Sequence, residues 1–183
     1  SLFQKVICFE PNPLIFEYLK KNLPKILKNI EIYNYALSDK TGNAILKIPN
    51  RRNSMFNENY EELYKLGAAT IHDKNILENY DSFSVETKKL DELIQLNNLG
   101  FIKIDVEGHE TEVIKGSTEL IKKNKPTLLV EIEERHSKKP IDLTINYIKG
   151  FGYECFQVKD NEVKKFELNN HSLKNNNFLF LSN

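Results

Sequence analysis

The sequence has no excess of charge of either sign, because its 26 lysine and arginine residues are balanced by 26 aspartate and glutamate residues. A chain with no excess positive charge does not attract the negatively charged nucleic-acid backbone through its overall charge. The balance favours a small, weakly charged ligand instead. We therefore expect no nucleic-acid partner.

Cysteine and long hydrophobic runs are also scarce. No metal-type spacing relates Cys8 to Cys155, so we predict two buried thiols in a reducing compartment and no disulfide framework. The longest apolar runs, such as residues 127–132, are too short to cross a bilayer, and the N-terminus has no signal-peptide architecture. These absences predict a soluble, cytoplasmic protein with no membrane span.

The 183 residues suffice for one hydrophobic core and one domain. In the second half, apolar strands alternate with helical runs, which is typical of parallel β-α-β units in an α/β fold. The predicted strands of this half are 101–105, 127–132, 153–158, 162–168 and 178–182, and the predicted helices lie near 110–123 and 140–149. The closing hairpin predicts an antiparallel edge.

The first half begins with a strand at 6–9 and a helix that Pro13 opens, since proline suits a first helical position. A strand at 30–37 follows, and further strands are predicted at 44–48 and 82–87. Residues from about 49–80 are rich in asparagine, glutamate and tyrosine and show no clean period. This stretch predicts a long, irregular excursion of the kind that often carries specificity.

The most informative segment is the apolar strand at 101–104, which is followed by Asp105, Glu107 and the turn residue Gly108. Enzymes of the α/β class place their chemistry at the carboxyl ends of strands, and glycine allows a sharp turn that aims these acids into a crevice. Glu131 ends the next strand, so it could approach Asp105 to about 5 Å. Two such carboxylates could share a proton, bind a cation or accept a substrate hydroxyl, although Glu131 could also simply solvate a strand end.

Other polar residues have a functional and a structural interpretation. Glu10 ends the first strand, where it could accept hydrogen bonds from both hydroxyls of a ribose or be an exposed acid before a turn. His109 could be a general base near neutral pH or a helix-start histidine that faces water. His72, His136 and His171 are isolated in the sequence and are predicted to be incidental.

Several segments, taken together, resemble the FkbM family of S-adenosylmethionine-dependent methyltransferases. They occur in the family's order over roughly residues 5–134, and the segment at 103–110 is the most specific of them. The segments are F-E-P-N-P at 9–13, Y-A-L-S-D at 35–39, L-D-E-L at 90–93, K-I-D-V-E-G-H-E at 103–110 with Gly116, and Pro126 with Glu131.

The resemblance implies an α/β fold with a Rossmann-like methyltransferase sheet that is mostly parallel, has an antiparallel C-terminal edge hairpin and lacks its first strand. It implies a single, N-terminally truncated domain over residues 3–183. It also implies S-adenosylmethionine as the cofactor and O-methylation as the reaction. The acceptor would be a hydroxyl of a sugar or related metabolite, either a small molecule or a glycan.

The resemblance also assigns roles to individual residues. On the cofactor side, Glu10 would hold the ribose, Asn12 would support the loop, and Ala36 and Leu37 would flank the adenine. On the catalytic side, Asp105 would lie beside the methyl group and the incoming hydroxyl, and the acceptor side would be shaped by Glu107, His109 and Glu131.

The sequence departs from the family in one respect, because the glycine-rich turn D-x-G-A-N-x-G is not found and Glu10 has only nine residues ahead of it. In the family, the strand that carries this turn lies between the two strands that here end near Glu10 and Asp105. We expect the strands at 5–10 and 101–105 to close up and pair, whereas another segment or chain, as in a homodimer, could fill the slot instead. The chain as given should bind S-adenosylmethionine poorly and transfer no measurable methyl.

Two functions of different classes follow. The first is an O-methyltransferase of a sugar or another polyhydroxylated acceptor, present here as an inactive fragment. The second is a degenerate methyltransferase-like domain that acts as a non-catalytic binding or assembly module. A nicotinamide-dependent sugar-nucleotide enzyme is disfavoured, because Tyr64 and Lys65 are adjacent and not at the helical spacing of a catalytic pair.

Overall fold

The structure, a computed structural model, describes residues 3–49, 69–72, 80–159, 162–167 and 176–182. Nearly all of the predicted 49–80 excursion lies outside the described residues. Within them the elements follow the chain as β1 (Val6–Phe9), α1 (Pro13–Ile26), β2 (Ile30–Tyr33), β3 (Ala36–Leu37), β4 (Gly42–Pro49), β5 (Tyr80–Lys88), α2 (Leu90–Leu93), β6 (Phe101–Ile104), α3 (Glu110–Lys115), α4 (Thr118–Asn124), β7 (Thr127–Glu131), α5 (Glu134–Ser137), α6 (Ile141–Lys149), β8 (Tyr153–Lys159), β9 (Glu162–Lys165) and β10 (Asn177–Ser182). The predicted α/β class is confirmed.

The described strands form three sheets. The largest has five strands in the order β6-β7-β10-β8-β9, a second has the order β3-β5-β4, and β1 pairs in parallel with β2. None of the described helices is long and apolar enough to span a membrane. The five-stranded sheet carries the acids that the sequence points to, because β6 and β7 are its first two strands.

The largest sheet is mixed and not mostly parallel by its pairings. Strands β6 and β7 are parallel, whereas β10 is antiparallel to both β7 and β8, and β9 is antiparallel to β8. The β8 and β9 hairpin forms the antiparallel edge that was predicted. Strand β10 is not at the edge, because it lies between β7 and β8. Its side chains Phe178 and Phe180 are fully buried there.

The prediction that the strands at 5–10 and 101–105 pair directly is wrong. Among the described strands, β1 pairs with β2 and β6 pairs with β7, and the two pairs belong to different sheets. The rings of Phe3, just before β1, and Phe101, at the start of β6, lie 6.1 Å apart between centroids. Side chains, and not a backbone ladder, therefore connect the beginnings of these two strands.

The predicted strand at 30–37 is divided. It forms β2 and β3, which belong to different sheets, and Asn34 lies in the break. The Asn34 side-chain amide donates to the carbonyl oxygens of Glu10 at 2.7 Å and Pro11 at 3.2 Å. The strand therefore ends before Asn34, and the Asn34 side chain holds the loop after β1 in place.

The hydrophobic core lies on the five-stranded sheet and its helices. Strands β7 and β10 contribute alternate side chains, and α3, α4 and α6 contribute one face each. The members of this cluster that are entirely buried are Ile114, Ile121, Leu128, Val130, Ile148, Phe178 and Phe180. Burial of these side chains stabilises the layer that holds the carboxyl ends of β6 and β7 in place.

The single helix predicted near 110–123 is two helices, α3 and α4, and Gly116 lies at the break. A Cβ atom on Gly116 would lie 1.9 Å from the carbonyl oxygen of Ser38. Because that neighbour is backbone, it cannot move aside as a flexible side chain would. Glycine is thus required where the helical layer meets the segment after β3.

We predict that Gly116→Ala lowers the free energy of unfolding by about 3 kcal/mol or more, because the added methyl group overpacks a backbone contact. Gly100→Ala is the matched control, since a Cβ atom there meets nothing within 4 Å. That control should stay within about 0.5 kcal/mol of the wild type. Urea denaturation of the three proteins measures both values, and equal stability of the two variants would contradict the close approach.

Candidate functional site

Two carboxyl groups meet at the ends of β6 and β7. The parallel register places Ile104 beside Val130, so the next residues, Asp105 and Glu131, are neighbours. The carboxyl group of Asp105 interacts with that of Glu131, is partly exposed and also accepts a 2.5 Å hydrogen bond from Lys103 Nζ. The convergence of Asp105 and Glu131 that the sequence predicts is confirmed.

The electrostatics of Glu131 follow from this arrangement. Burial, and then the hydrogen bond and charge of Asp105, raise the pKa of Glu131 to about 7, and the charges of Glu133 and Glu107 act in the same direction. A second carboxyl group beside Glu131 makes its ionised form less favourable, so Glu131 keeps its proton to a higher pH than an isolated glutamate does. At neutral pH the pair can therefore accept a proton from a ligand.

A histidine lies between the other two acids of this region. His136 Nδ1 is 3.1 Å from Glu107 Oε2, and His136 Nε2 is 2.9 Å from Glu133 Oε2. The prediction that His136 is isolated is wrong, because a one-dimensional sequence does not show that its helix packs beside the turn after β6, whereas its being functionally incidental stays a prediction. The spacing of Glu133 and His136, three residues apart, was the available signal.

The pKa values of Glu107 and Glu133 move in opposite directions. Burial raises the pKa of Glu107, and the adjacent His136 acts against this rise. Burial also acts to raise the pKa of Glu133, but hydrogen bonds from Arg135 and Asn176 hold it below its ordinary value. Glu133 is therefore the acid of this group that its neighbours keep ionised.

The turn after Asp105 has an unusual backbone. Glu107 has φ of 52° and Gly108 has φ of 100°, both in the left-handed region that favours glycine. A Cβ atom on Gly108 would lie 2.8 Å from the backbone carbonyl carbon of His136. The sequence prediction of a sharp glycine turn is thus supported, and the turn packs directly on α5.

His109 points to a different neighbourhood from the acid pair. Its Nε2 lies 2.9 Å from Ser38 Oγ, and its Nδ1 lies 3.9 Å from Glu112 Oε2. Burial lowers the pKa of His109, and the nearby Glu112 acts to raise it. The side chain is only 14% exposed, so the interpretation of a histidine facing water is wrong. A role on the acceptor side remains a prediction.

The four predicted cofactor residues differ in what their side chains do. Glu10 is partly buried, which raises its pKa, and its Oε1 accepts a 2.7 Å hydrogen bond from the backbone N–H of Asn12. Asn12 is fully buried and caps α1, since its Oδ1 accepts a 3.1 Å hydrogen bond from Leu14 N. Ala36 packs in the core of the second sheet, and Leu37 packs against the main core.

These contacts decide which residues fit a nucleoside. Glu10 is an acid at the carboxyl end of a strand and suits ribose hydroxyls, while Asn12 and Ala36 are committed to the cap and the core. The interactions described for Glu10 involve its own loop and the adjacent strand β2, and none of them connects it with Asp105. The ribose-binding role of Glu10 therefore stays a prediction.

Sequence reasoning treated Glu110 only as a helix-start acid, although it is one of the most buried acids described here. It is 3% exposed, and its Oε1 accepts a 2.8 Å hydrogen bond from the backbone N–H of Gly108. Burial raises the pKa of Glu110 to about 7 despite that bond. Across the described ranges, no group of three or more acids, histidines or cysteines is arranged to hold a metal ion.

Comparison with known proteins identifies relatives of this chain. Residues 4–155 match the family model described as the Methyltransferase FkbM domain. The chain is 28% identical over 116 residues to the hexuronic acid methyltransferase AglP of Haloferax volcanii, an alignment that covers 62% of this chain and 41% of AglP.

A solved structure has a similar fold. The crystal structure of methyltransferase FkbM from Methylobacillus flagellatus superposes with a TM-score of 0.52 at 16% identity, covering 98% of this chain and 36% of that one. At that identity the likeness shows the fold alone. The chain spans less than half the length of these two relatives.

We predict that Glu110→Gln removes part of the dependence of stability on pH. Because folding raises the pKa of Glu110 from 4.5 to about 7, the folded protein binds this proton more tightly than the unfolded chain does. The free energy of unfolding therefore falls as the pH rises from 4.5 through 7, and glutamine, which cannot ionise, should avoid this loss by on the order of 2 kcal/mol at pH 8.

Urea denaturation between pH 5 and about pH 8 measures this difference. Glu119→Gln is the control, because the Glu119 side chain is 78% exposed and its replacement should leave the profile unchanged. Identical pH profiles for Glu110→Gln and the wild type would contradict the assignment.

Proposed function

The chain belongs to the FkbM methyltransferase family, and from that premise we propose that the full-length protein transfers a methyl group from S-adenosylmethionine to a hydroxyl of a sugar or related metabolite. The observation that carries this proposal is the pair formed by Asp105 and Glu131. A hydroxyl becomes an ether oxygen only if it gives up its proton, and the pair provides a proton acceptor at a strand end, where α/β enzymes bind their ligands.

The pKa of Glu131 supports this role. A general base works best when its pKa lies near the operating pH, and the Glu131 carboxyl titrates at about 7. S-adenosylmethionine supplies, when bound, a methyl carbon made electrophilic by the sulfonium. Asp105 and Glu131 would orient the acceptor hydroxyl and hold the proton that it loses when its oxygen takes the methyl group from the sulfur, whose bond to that carbon breaks, and correct alignment of the two reactants would supply much of the rate.

The remaining predicted residues bind the cofactor or shape the acceptor side of the site. Glu10 accepts hydrogen bonds from the ribose hydroxyls, and Asn12 holds the loop after β1 in place by capping α1. The segment of Ala36 and Leu37 borders the adenine. The Ala36 side chain is in the core, so this segment would contact the adenine with its backbone. Glu107 and His109 shape the acceptor side. A sugar acceptor is supported by the name of AglP, a hexuronic acid methyltransferase.

A second candidate is a methyltransferase-like domain that binds without catalysis. It is favoured by the commitment of Asn12 to a helix cap and of Ala36 to the core, which leaves Glu10 as the predicted cofactor residue with a side chain suited to binding.

We predict that Asp105→Asn lowers kcat by about 10²–10⁴-fold while the Kd for S-adenosylmethionine changes little, because the amide cannot accept a proton. The whole encoding reading frame is expressed, and radiolabelled methyl transfer to hexuronic acids and other polyhydroxylated acceptors is measured. Glu119→Gln, an exposed carboxylate changed to an amide, should keep full activity. Equal turnover of Asp105→Asn and the wild type would refute the role of the pair.

The melting temperature of the 183-residue chain tests whether these residues bind the cofactor by themselves. We expect its melting temperature to stay unchanged with S-adenosylmethionine in large excess, because a ligand stabilises a protein only in proportion to the site it occupies. Differential scanning fluorimetry measures this, with S-adenosylhomocysteine and adenosine as comparisons. A clear rise in melting temperature would show that these residues bind the cofactor unaided.

A further inference from the structure

The turns that follow β6 and β7 are joined through one imidazole ring. His136 lies on α5, directly after β7, and its side chain is 19% exposed. Its two ring nitrogens contact Glu107 Oε2 at 3.1 Å and Glu133 Oε2 at 2.9 Å. Glu107 belongs to the turn after β6 and Glu133 to the turn after β7, so the ring connects the two turns.

Backbone packing makes this connection close. Gly108, in the same turn as Glu107, leaves no room for a side chain against the backbone of His136 and Ser137. The left-handed backbone of Glu107 and Gly108 brings the turn into this position. The ring and the backbone of His136 therefore both contact the turn that begins at Asp105.

The charges around the ring explain why a bridge is needed. Glu107 and Glu133 are mostly buried, with side chains 25% and 10% exposed. Without the ring between them, two buried carboxylates at this place repel each other. The further charged groups of this region are Arg135 on α5, Lys103 on β6, and the carboxyl groups of Asp105 and Glu131.

We propose that His136 is a positioning residue, which holds Asp105 against Glu131 by bridging Glu107 and Glu133. The bridge fixes the distance between the two turns, and the acid pair lies at the start of those turns, two residues before Glu107 and two residues before Glu133. The consequence for catalysis rests on the proposed function. The geometric claim can be tested in the chain itself.

The test is the pH titration of the Glu131 side-chain carboxyl carbon by NMR in the 183-residue protein. In the wild type the midpoint lies at about 7. In His136→Gln the neutral amide cannot bridge both acids, the turns move apart, and the midpoint of Glu131 falls toward 4.5 by at least about one pH unit. The direction is informative, because loss of a positive charge alone raises the pKa of a nearby carboxyl group.

Arg135→Gln is the matched control. It removes a cation from the same helix that contacts Glu133 but not Glu107, and its side chain is 74% exposed. The midpoint of Glu131 in this variant should stay the same or rise. A midpoint that rises or stays unchanged in His136→Gln, with the wild type near 7, would overturn the bridge while leaving the acid pair of the proposed function intact.

Glu107→Gln breaks the same bridge from its other end but also removes a charge that raises the pKa of Glu131, so it is compared with His136→Gln, or with His136→Asn if that variant does not fold. It should also lower the midpoint of Glu131, and the double variant should lower it no further than the larger single effect. Additive shifts in the double variant would overturn the bridge, because they indicate independent electrostatic contributions. A wild-type midpoint near 4.5 would instead contradict the acid pair, and with it both the proposed function and the bridge.

Discussion

The parallel pairing of β6 with β7 is the constraint on which the rest of the site depends. Its register places Ile104 beside Val130, and the two acids that follow are therefore neighbours whatever their sequence separation. The buried layer of β7, β10 and the covering helices keeps that register fixed, since a shift of one residue would turn every core side chain of β7 toward the opposite face. The chemistry of the pair is thus a consequence of packing beneath it.

Around this pair, the fold provides two supports with different roles. The turn after β6 uses left-handed backbone at Glu107 and Gly108 to reach α5, where His136 lies between two acids. At the other side of α3, Gly116 packs on the backbone of Ser38, and His109 lies 2.9 Å from the Ser38 hydroxyl. The motif at 103–110 therefore connects the acid pair with the segment after β3, and glycine is what permits each close approach.

The features that could be predicted from the sequence are those that depend on a local pattern of residues. Alternating apolar strands and helices gave the α/β class, and the strand-end position of Asp105 and Glu131 gave their convergence. What it missed depends on packing between distant segments. The helix break at Gly116 could be predicted only with the knowledge that Ser38 packs against this glycine. The central position of β10 is accompanied by the burial of Phe178 and Phe180. His136 is isolated in the sequence, and only the packing of α5 beside the turn at Gly108 brings it to the acids.

Infrared spectroscopy of the protonated carboxyl C=O band tests whether the neighbouring Asp105 carboxyl group helps to raise the pKa of Glu131 to about 7. Glu110→Gln serves as the background, so that the other buried acid with a pKa of about 7 does not contribute. We expect a band that disappears as the pH rises, with a midpoint of about 7. This midpoint should move toward 4.5 when Asp105 is also changed to asparagine. A band whose midpoint is the same with and without the Asp105 carboxyl group would contradict it.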